Sequence, residues 1–157
     1  MKYKSIFVVL LSVSLGIQAN AQTKPAPKVT PIAKYKVPKM STLLGQYKDS
    51  VGLPAADAAA VIGSPLRVVD EKKVVYTITS YQFLYKKVGV TETEDGKVLP
   101  ATSISSAAFT QTPLPAIWIS NVKELVKKGE ELFFFDIIAK DPQGRPMYAP
   151  NLKITIL

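Results

Sequence analysis

The 157-residue chain contains neither cysteine nor histidine. Without cysteine it has no disulfide, no thiolate nucleophile and no zinc-cysteine site. Without histidine it lacks the usual general base of serine and cysteine hydrolases and the commonest protein ligand of transition metals. The composition therefore argues against an enzyme, and we predict no catalytic residue, no metal site and no cofactor.

The chain also lacks an apolar run of transmembrane length. At its start, Lys2 and Lys4 precede an apolar stretch over residues 6–17, and Ala19 and Ala21 form a small-x-small pattern. This order is typical of a secretory signal over residues 1–21, and the apolar stretch is shorter than the roughly 20 residues that a bilayer requires. We expect an exported protein with no stable membrane insertion after cleavage of the signal.

Residues 22–40 are rich in proline and lysine and predict an extended linker. The alternation over residues 33–37 leaves open that the end of this linker docks on the domain as an edge strand. The net charge of +8 is concentrated in this part of the chain. Aromatic residues do not interleave with these lysines as a nucleic-acid stacking platform requires, so we expect no nucleic-acid partner.

Residues 41–157 show the pattern of one mainly β domain. Short β-branched and aromatic runs alternate with Pro/Gly turns, and only two segments have helical character, one over residues 54–62 and one around Trp118 that we expect to end at Gly129. The run over residues 74–86 is the longest strand candidate, with a bulge expected near Ser80. The pattern predicts a β-sandwich with one or two short helices.

The last 30 residues predict a β-hairpin. An apolar run over residues 132–140 is followed by a Pro/Gly turn over residues 141–145 and then by alternation at Leu152, Ile154 and Ile156. Asp136 interrupts the apolar run. We expect it either to bond to backbone amides or a basic side chain, or to be released to solvent by a bulge; a general acid or base role is the weaker alternative.

Two short motifs carry little chemistry. Ser120 and Lys123 match the S-x-x-K pattern of penicillin-interacting serine enzymes, but the partner motifs of those enzymes are absent. Glu92, Glu94 and Asp95 form too short a run for a calcium loop, and Asp95-Gly96 instead indicates a hairpin turn.

The terminal segment resembles the C-terminal domain of the gliding-motility protein GldM. The resemblance lies in Lys128-Gly129-Glu130-Glu131, the following aromatic strand with Asp136-Ile137, the Pro142-x-Gly144 turn and the closing residues 153–156. It implies an immunoglobulin-like β-sandwich in the periplasm, related to a type IX secretion and gliding motor whose rod dimerises. This chain has a cleavable signal in place of the family's membrane helix and lacks the preceding rod domains, so the resemblance implies a free-standing binding module.

We therefore predict a non-enzymatic periplasmic protein-interaction module with an envelope protein partner, located at or near the periplasmic face of the outer membrane. The candidate contact residues are Phe133, Phe135, Ile138 and Trp118, and a homodimer is compatible with the sequence. Phe135 and Ile138 stand where the resembling family tends to carry polar residues. The alternative is a small-ligand or cell-wall carbohydrate binding module.

That alternative assigns a stacking platform to three aromatic residues. Tyr81, Tyr85 and Trp118 would provide the rings, and the platform would lie in a concave groove. The interaction module instead predicts a flat apolar strip, so the exposure of these three rings distinguishes the two hypotheses.

Overall fold

The computed structural model describes residues 37–157. The predicted signal over residues 1–21, and the predicted linker up to residue 36 with its proposed edge strand, lie outside the described residues. The first strand begins at Met40, one residue before the predicted start of the domain.

Within the described residues the chain forms nine strands and two short helices. In chain order they are β1 (Met40–Leu44), β2 (Tyr47–Lys48), β3 (Ser50–Leu53), α1 (Ala55–Val61), β4 (Leu66–Asp70), β5 (Val75–Glu92), β6 (Val98–Phe109), α2 (Ala116–Leu125), β7 (Glu131–Lys140), β8 (Pro146–Tyr148) and β9 (Leu152–Ile156). No helix within residues 37–157 is long and apolar enough to cross a membrane.

The strands form one mixed sheet in the order β2-β1-β4-β5-β7-β9-β3, with β6 added to β5 and β8 added to β7. All neighbours pair antiparallel except β3 and β9, which are parallel. The sheet is nearly closed into a barrel, an arrangement of the β-sandwich-like class. The prediction of a mainly β fold with two short helices is confirmed.

The core lies inside this curved sheet and is closed by the two helices. The largest fully buried side chains include Tyr81, Tyr85 and Phe83 of β5 and Phe134 of β7. The Phe83 and Phe134 rings are tilted against each other with centroids 4.8 Å apart. Alternate residues of β5 and β7 therefore supply most of the aromatic core, as the period of two in a strand requires.

The long strand β5 has irregular pairing with β7 at the predicted place. The register shifts between Ile78 and Ser80 and again between Ser80 and Gln82, which confirms the bulge expected near Ser80. The strand also runs beyond the predicted end at residue 86, because β6 keeps pairing with it out to the Glu92↔Val98 pair.

The second helix ends earlier than the sequence predicts. It ends at Leu125, where the amide of Val126 donates the closing hydrogen bond to the carbonyl of Val122 (2.9 Å), and Gly129 lies beyond it in the turn before β7. The reason is a side chain from further along the chain. The amide of Lys127 donates to the Glu130 carboxylate (3.1 Å), so the next backbone donor is not available to continue the helix.

The terminal hairpin also differs in detail from the prediction. The turn over residues 141–145 connects β7 to β8, a strand that the sequence analysis missed, with Ala139 opposite Met147. After Pro150 the chain enters β9, which pairs with the first half of β7 from Phe134↔Leu152 to Glu131↔Thr155. The prediction missed this division because β8 has only 3 residues.

Candidate interaction surface

Strand β7 changes the phase of its alternation halfway along. Leu132 and Phe134 face the core in the first half and Ile137 in the second, so two residues instead of one separate Phe134 from Ile137. Asp136 takes up the extra residue, with φ of 49°, and one fewer residue of β5 lies opposite. This is a β-bulge, which keeps both halves of β7 facing the core.

The bulge determines the position of Asp136. Its side chain is exposed, and its Oδ2 atom accepts a hydrogen bond from Gln82 Nε2 at 2.8 Å. The second of the two structural alternatives for this residue, release to solvent by a bulge, is therefore confirmed. No carboxylate of β5 lies opposite Asp136 in the β5–β7 ladder.

Three of the four predicted contact residues lie together on the outside of the sheet. Phe133 and Phe135 are partly exposed, and their rings stack with centroids 5.0 Å apart and planes 9° from parallel. Ile138 follows them on the same strand, beyond the bulge, and lies opposite Tyr148 of β8. Leu84 of β5 lies directly opposite Phe133. We call this surface the outer face; its members are Leu84, Phe133, Phe135, Ile138 and Tyr148.

A row of charges borders the outer face at the start of β7. Glu131 lies between Lys86, whose Nζ is 3.8 Å from Oε1, and Lys153, whose Nζ is 3.2 Å from Oε2. All three residues are partly exposed, so these pairs contribute little to stability, about 0 to 1 kcal/mol each. The outer face is thus an apolar strip with a charged border, an arrangement typical of protein-binding surfaces.

Trp118 does not belong to this surface. It extends from α2 onto the core side of the sheet, where its ring meets those of Phe83 (5.5 Å, 87°) and Phe109 (5.8 Å, 85°) edge to face. Phe83 in turn packs on Phe134, whose side chain points away from the outer face. The sheet therefore separates Trp118 from Phe133, Phe135 and Ile138, so the four candidate contact residues do not form one surface.

The three-ring carbohydrate platform is not formed either. Tyr81 and Tyr85 are each only 1% exposed, and the Tyr81 hydroxyl donates to the carbonyl of Gln111 at 2.9 Å. Burial raises the pKa of Tyr81 to about 12, although its hydrogen bond with Thr112 acts in the opposite direction. These two rings belong to the core because residues 81, 83 and 85 alternate onto its side of the strand.

Trp118 instead borders a cavity between α2 and the β5–β6 hairpin. The cavity has a volume of about 600 Å³. Its lining combines the apolar Ile117 and Trp118 with polar or charged groups, among them Lys87, Asn121 and Ser105. The Nζ of Lys87 also lies 4.9 Å from the centroid of the Tyr85 ring, a cation–π contact.

The sequence analysis missed a buried carboxylate that contacts the same stretch of β5. Glu130 is 1% exposed and accepts hydrogen bonds from the Tyr85 hydroxyl, the Val88 amide (3.3 Å) and the Lys127 amide (3.1 Å). Burial raises the pKa of Tyr85, and both the hydrogen bond to Glu130 and its charge raise it further. No sequence signal marks Glu130, because two of its three donors, Tyr85 and Val88, belong to the distant strand β5.

Asp141 is the other buried carboxylate and stabilises the β7–β8 turn. Its Oδ1 accepts the amides of Gln143 (2.9 Å) and Arg145 (2.8 Å), and its Oδ2 lies 2.6 Å from the Arg145 guanidinium. Burial opposes ionisation of this carboxyl, but the contacts with Arg145 and Gln143 outweigh it and hold the pKa of Asp141 below its usual range. Both buried carboxylates thus have structural partners.

The remaining motif residues lie apart from these features. Ser120 and Lys123 are both exposed on α2. Among residues 37–157, no group of three or more histidine, cysteine, aspartate or glutamate side chains lies close enough together to hold a metal ion.

No protein-family model matches this chain, and no curated protein matches it. The resemblance of its last residues to the GldM C-terminal domain therefore stays a prediction.

Proposed function

We propose that this protein is a non-enzymatic, periplasmic protein-interaction module, and that it binds an envelope protein through the outer face. The observation that carries the proposal is the stacked pair Phe133 and Phe135, held partly exposed beside Leu84 on the side of the sheet away from the core. Two aromatic rings that do not fill the core supply a rigid apolar contact at low cost in side-chain entropy.

The surroundings of the pair fit the same function. Ile138 and the exposed Tyr148 extend the apolar strip across β7 and β8, and Glu131 with its two lysine partners provides a polar border. The resemblance to the GldM terminal domain and the predicted secretory signal support the periplasmic location and a partner in the envelope.

The test is co-purification from the envelope fraction of the source cell after mild cross-linking. We expect at least one envelope protein to be retained by the wild-type chain and to be lost with each of the two single variants, Phe135→Ser and Ile138→Lys. Val75→Lys is the matched control, since Val75 is an exposed apolar strand residue outside the outer face. If both variants fold and still retain every protein that the wild type retains, the outer face is not the binding surface.

The cavity beside α2 favours a second candidate function, the binding of a small ligand or a cell-wall fragment. It combines an aromatic wall with several polar groups, the usual composition of a ligand site. Trp118 is the only tryptophan of the chain, so its fluorescence reports directly on occupation of this cavity. A saturable fluorescence change on titration with muropeptides would support this function if Asn121→Phe, which fills the cavity without adding a tryptophan, abolishes the change. No fluorescence change at any concentration would exclude these fragments as ligands.

A further inference from the structure

Strand β6 is paired along one edge only. Its 12 residues pair with β5 without a register shift, and no other strand within residues 37–157 pairs with it. The other strands with a single neighbour are much shorter, with 2 residues in β2, 4 in β3 and 3 in β8. The free edge of β6 is therefore the longest in the described part of the chain, about 40 Å at the usual rise per residue.

The hairpin turn shows which backbone groups of β6 point outward. The Thr93 amide donates to the Lys97 carbonyl at 2.9 Å, which makes this a hydrogen-bonded pair. Such pairs alternate along an antiparallel ladder. Ser103 and Ser105, which lie opposite Lys87 and Tyr85, are therefore bonded to β5 through their backbone.

It follows that the residues between them direct their amides and carbonyls to the open edge. Ile104 and Ser106 are two of these residues. Pro100 falls in the same outward set, where its missing amide costs the β5–β6 ladder no hydrogen bond. The free edge available for pairing is thus the stretch after Pro100, residues 101–109.

The composition of β6 suits pairing with an identical strand. Exposed edge strands are usually protected by charged side chains, proline, bulges or short length. Beyond Pro100, β6 has no charged residue, no proline and no bulge. In a two-fold antiparallel pair of identical strands, a residue at the axis lies opposite its own copy, so a charge there would meet a like charge. The Ser, Thr and Ala residues after Pro100 cause no such repulsion and no steric conflict.

Apolar side chains beside this edge are exposed in the single chain. Ile104 and Val98 of β6 and Val90 of β5 are each more than half exposed. All three lie on the same side of the hairpin. The register pairs even-numbered residues of β5 with even-numbered residues of β6, and alternate residues of a strand share one face. A strand added to β6 would cover part of this apolar surface.

We propose that a second copy of this chain pairs antiparallel with β6 about a two-fold axis, so that one continuous sheet runs through both protomers. Main-chain hydrogen bonds over residues 101–109 hold the contact, and Ile104 of each protomer is buried near the axis. The proposal does not depend on the outer face as a binding surface, because it uses the edge of the sheet. In such a pair the two outer faces lie on the same side of the continuous sheet.

The first test is the molar mass of the full chain in solution, measured by sedimentation equilibrium over a range of concentrations. We expect a reversible dimer. Ile104→Pro removes an outward amide without breaking the β5–β6 ladder, and Ile104→Lys places like charges near the axis; each should raise the dimer Kd by about tenfold or more. Val75→Lys is the matched control and should leave the Kd unchanged, since Val75 is similarly exposed but lies at the end of β5 that pairs with β4, outside the β5–β6 ladder.

The second test uses the absence of cysteine from the chain, since any disulfide in a single-cysteine variant joins two copies. Ser103→Cys, Ser105→Cys and Ser106→Cys are made one at a time and oxidised mildly. We expect a covalent dimer for the position nearest the axis, and none for Ser120→Cys on α2.

Two results would overturn the proposal. One is a wild-type chain that stays monomeric at its highest soluble concentration, whether the free edge of β6 then remains unpaired or is covered by another segment. The other is a dimer whose Kd is unchanged by Ile104→Lys and whose β6 cysteines do not cross-link. If Ile104→Pro fails to fold, the lysine variant and the cysteine series still decide the question.

Discussion

The hydroxyl of Tyr85 donates a hydrogen bond to the carboxylate of Glu130, and both side chains are buried. Tyr85 belongs to the middle of the longest strand, whereas Glu130 precedes β7 by one residue. The carboxylate also accepts the amides of Val88 and Lys127. One side chain therefore joins β5, the end of α2 and the start of β7, the strand that carries the stacked phenylalanines.

Removing this carboxylate should destabilise the domain strongly. Glu130→Ala leaves a buried hydroxyl and two amides without their acceptor, and we expect a loss of about 2 to 4 kcal/mol in the free energy of unfolding. Glu131→Ala is the matched control; it removes only partly exposed ion pairs and should cost about 1 kcal/mol or less. Urea denaturation measures both. Equal losses for the two variants would show that the Glu130 network contributes no special stability.

Burial of Tyr81 should make stability fall at alkaline pH. The pKa of Tyr81 is raised from 10.0 to about 12. The contribution of Tyr81 to the free energy of unfolding is therefore complete below pH 10, where the tyrosine of the unfolded chain is also neutral. It is lost as the pH rises through about 12. Tyr81→Phe should flatten the fall in unfolding free energy across this window. Tyr148→Phe, at an exposed tyrosine, should leave the slope unchanged; identical slopes in all three proteins would contradict the prediction.

The left-handed backbone at Asp136 gives a third prediction. With φ of 49°, this position suits glycine and disfavours β-branched residues. Asp136→Gly should be neutral or stabilising by up to about 1 kcal/mol, whereas Asp136→Val should cost about 1 to 3 kcal/mol. Lys140→Val, at an exposed residue of β7 outside the bulge, should cost less. Thermal or urea unfolding gives the order, and a tolerated valine at 136 would argue against the bulge.

Asp141 should make stability fall at acid pH. Its pKa is lowered from 3.8, since the Arg145 and Gln143 contacts outweigh the effect of burial. The stabilisation is therefore present above about pH 4 and is lost as the pH falls through the lower pKa of the folded state. Asp141→Asn should remove this part of the pH dependence, whereas Asp95→Asn, in the exposed hairpin turn, should retain it. Acid unfolding curves of the two variants provide the comparison, and superimposable curves would refute it.

Local patterns were sufficient for much of this fold. The Asp95-Gly96 turn, the helix after Pro54 and the long strand with its bulge near Ser80 all lie where the sequence predicts them. Each depends on the preferences of a few adjacent residues. The end of α2 could not be predicted in the same way: Glu130 accepts the Lys127 amide, but its carboxylate is also held by Tyr85 and Val88, which are far away in the chain.

The candidate surface shows the same division. The apolar run of β7 indicates by itself that some aromatic side chains exceed what one buried face can hold. It does not indicate that Trp118 lies on the opposite side of the sheet, because that depends on where α2 packs, against Phe83 and Phe109. Nor does it show that one edge of β6 is free among residues 37–157, since pairing is a property of the assembled sheet.

The sequence alone determined the absence of cysteine and histidine, the strand and turn pattern, and the period of two that separates Phe134 from its neighbours Phe133 and Phe135. Those properties follow from residue chemistry and local backbone geometry. Only the tertiary structure decided which side of β7 faces the core, that Glu130 is buried beneath Tyr85, and that one edge of β6 has no partner strand within residues 37–157. Each of these depends on contacts between residues far apart in the chain, whose positions are set by the packing of the whole domain.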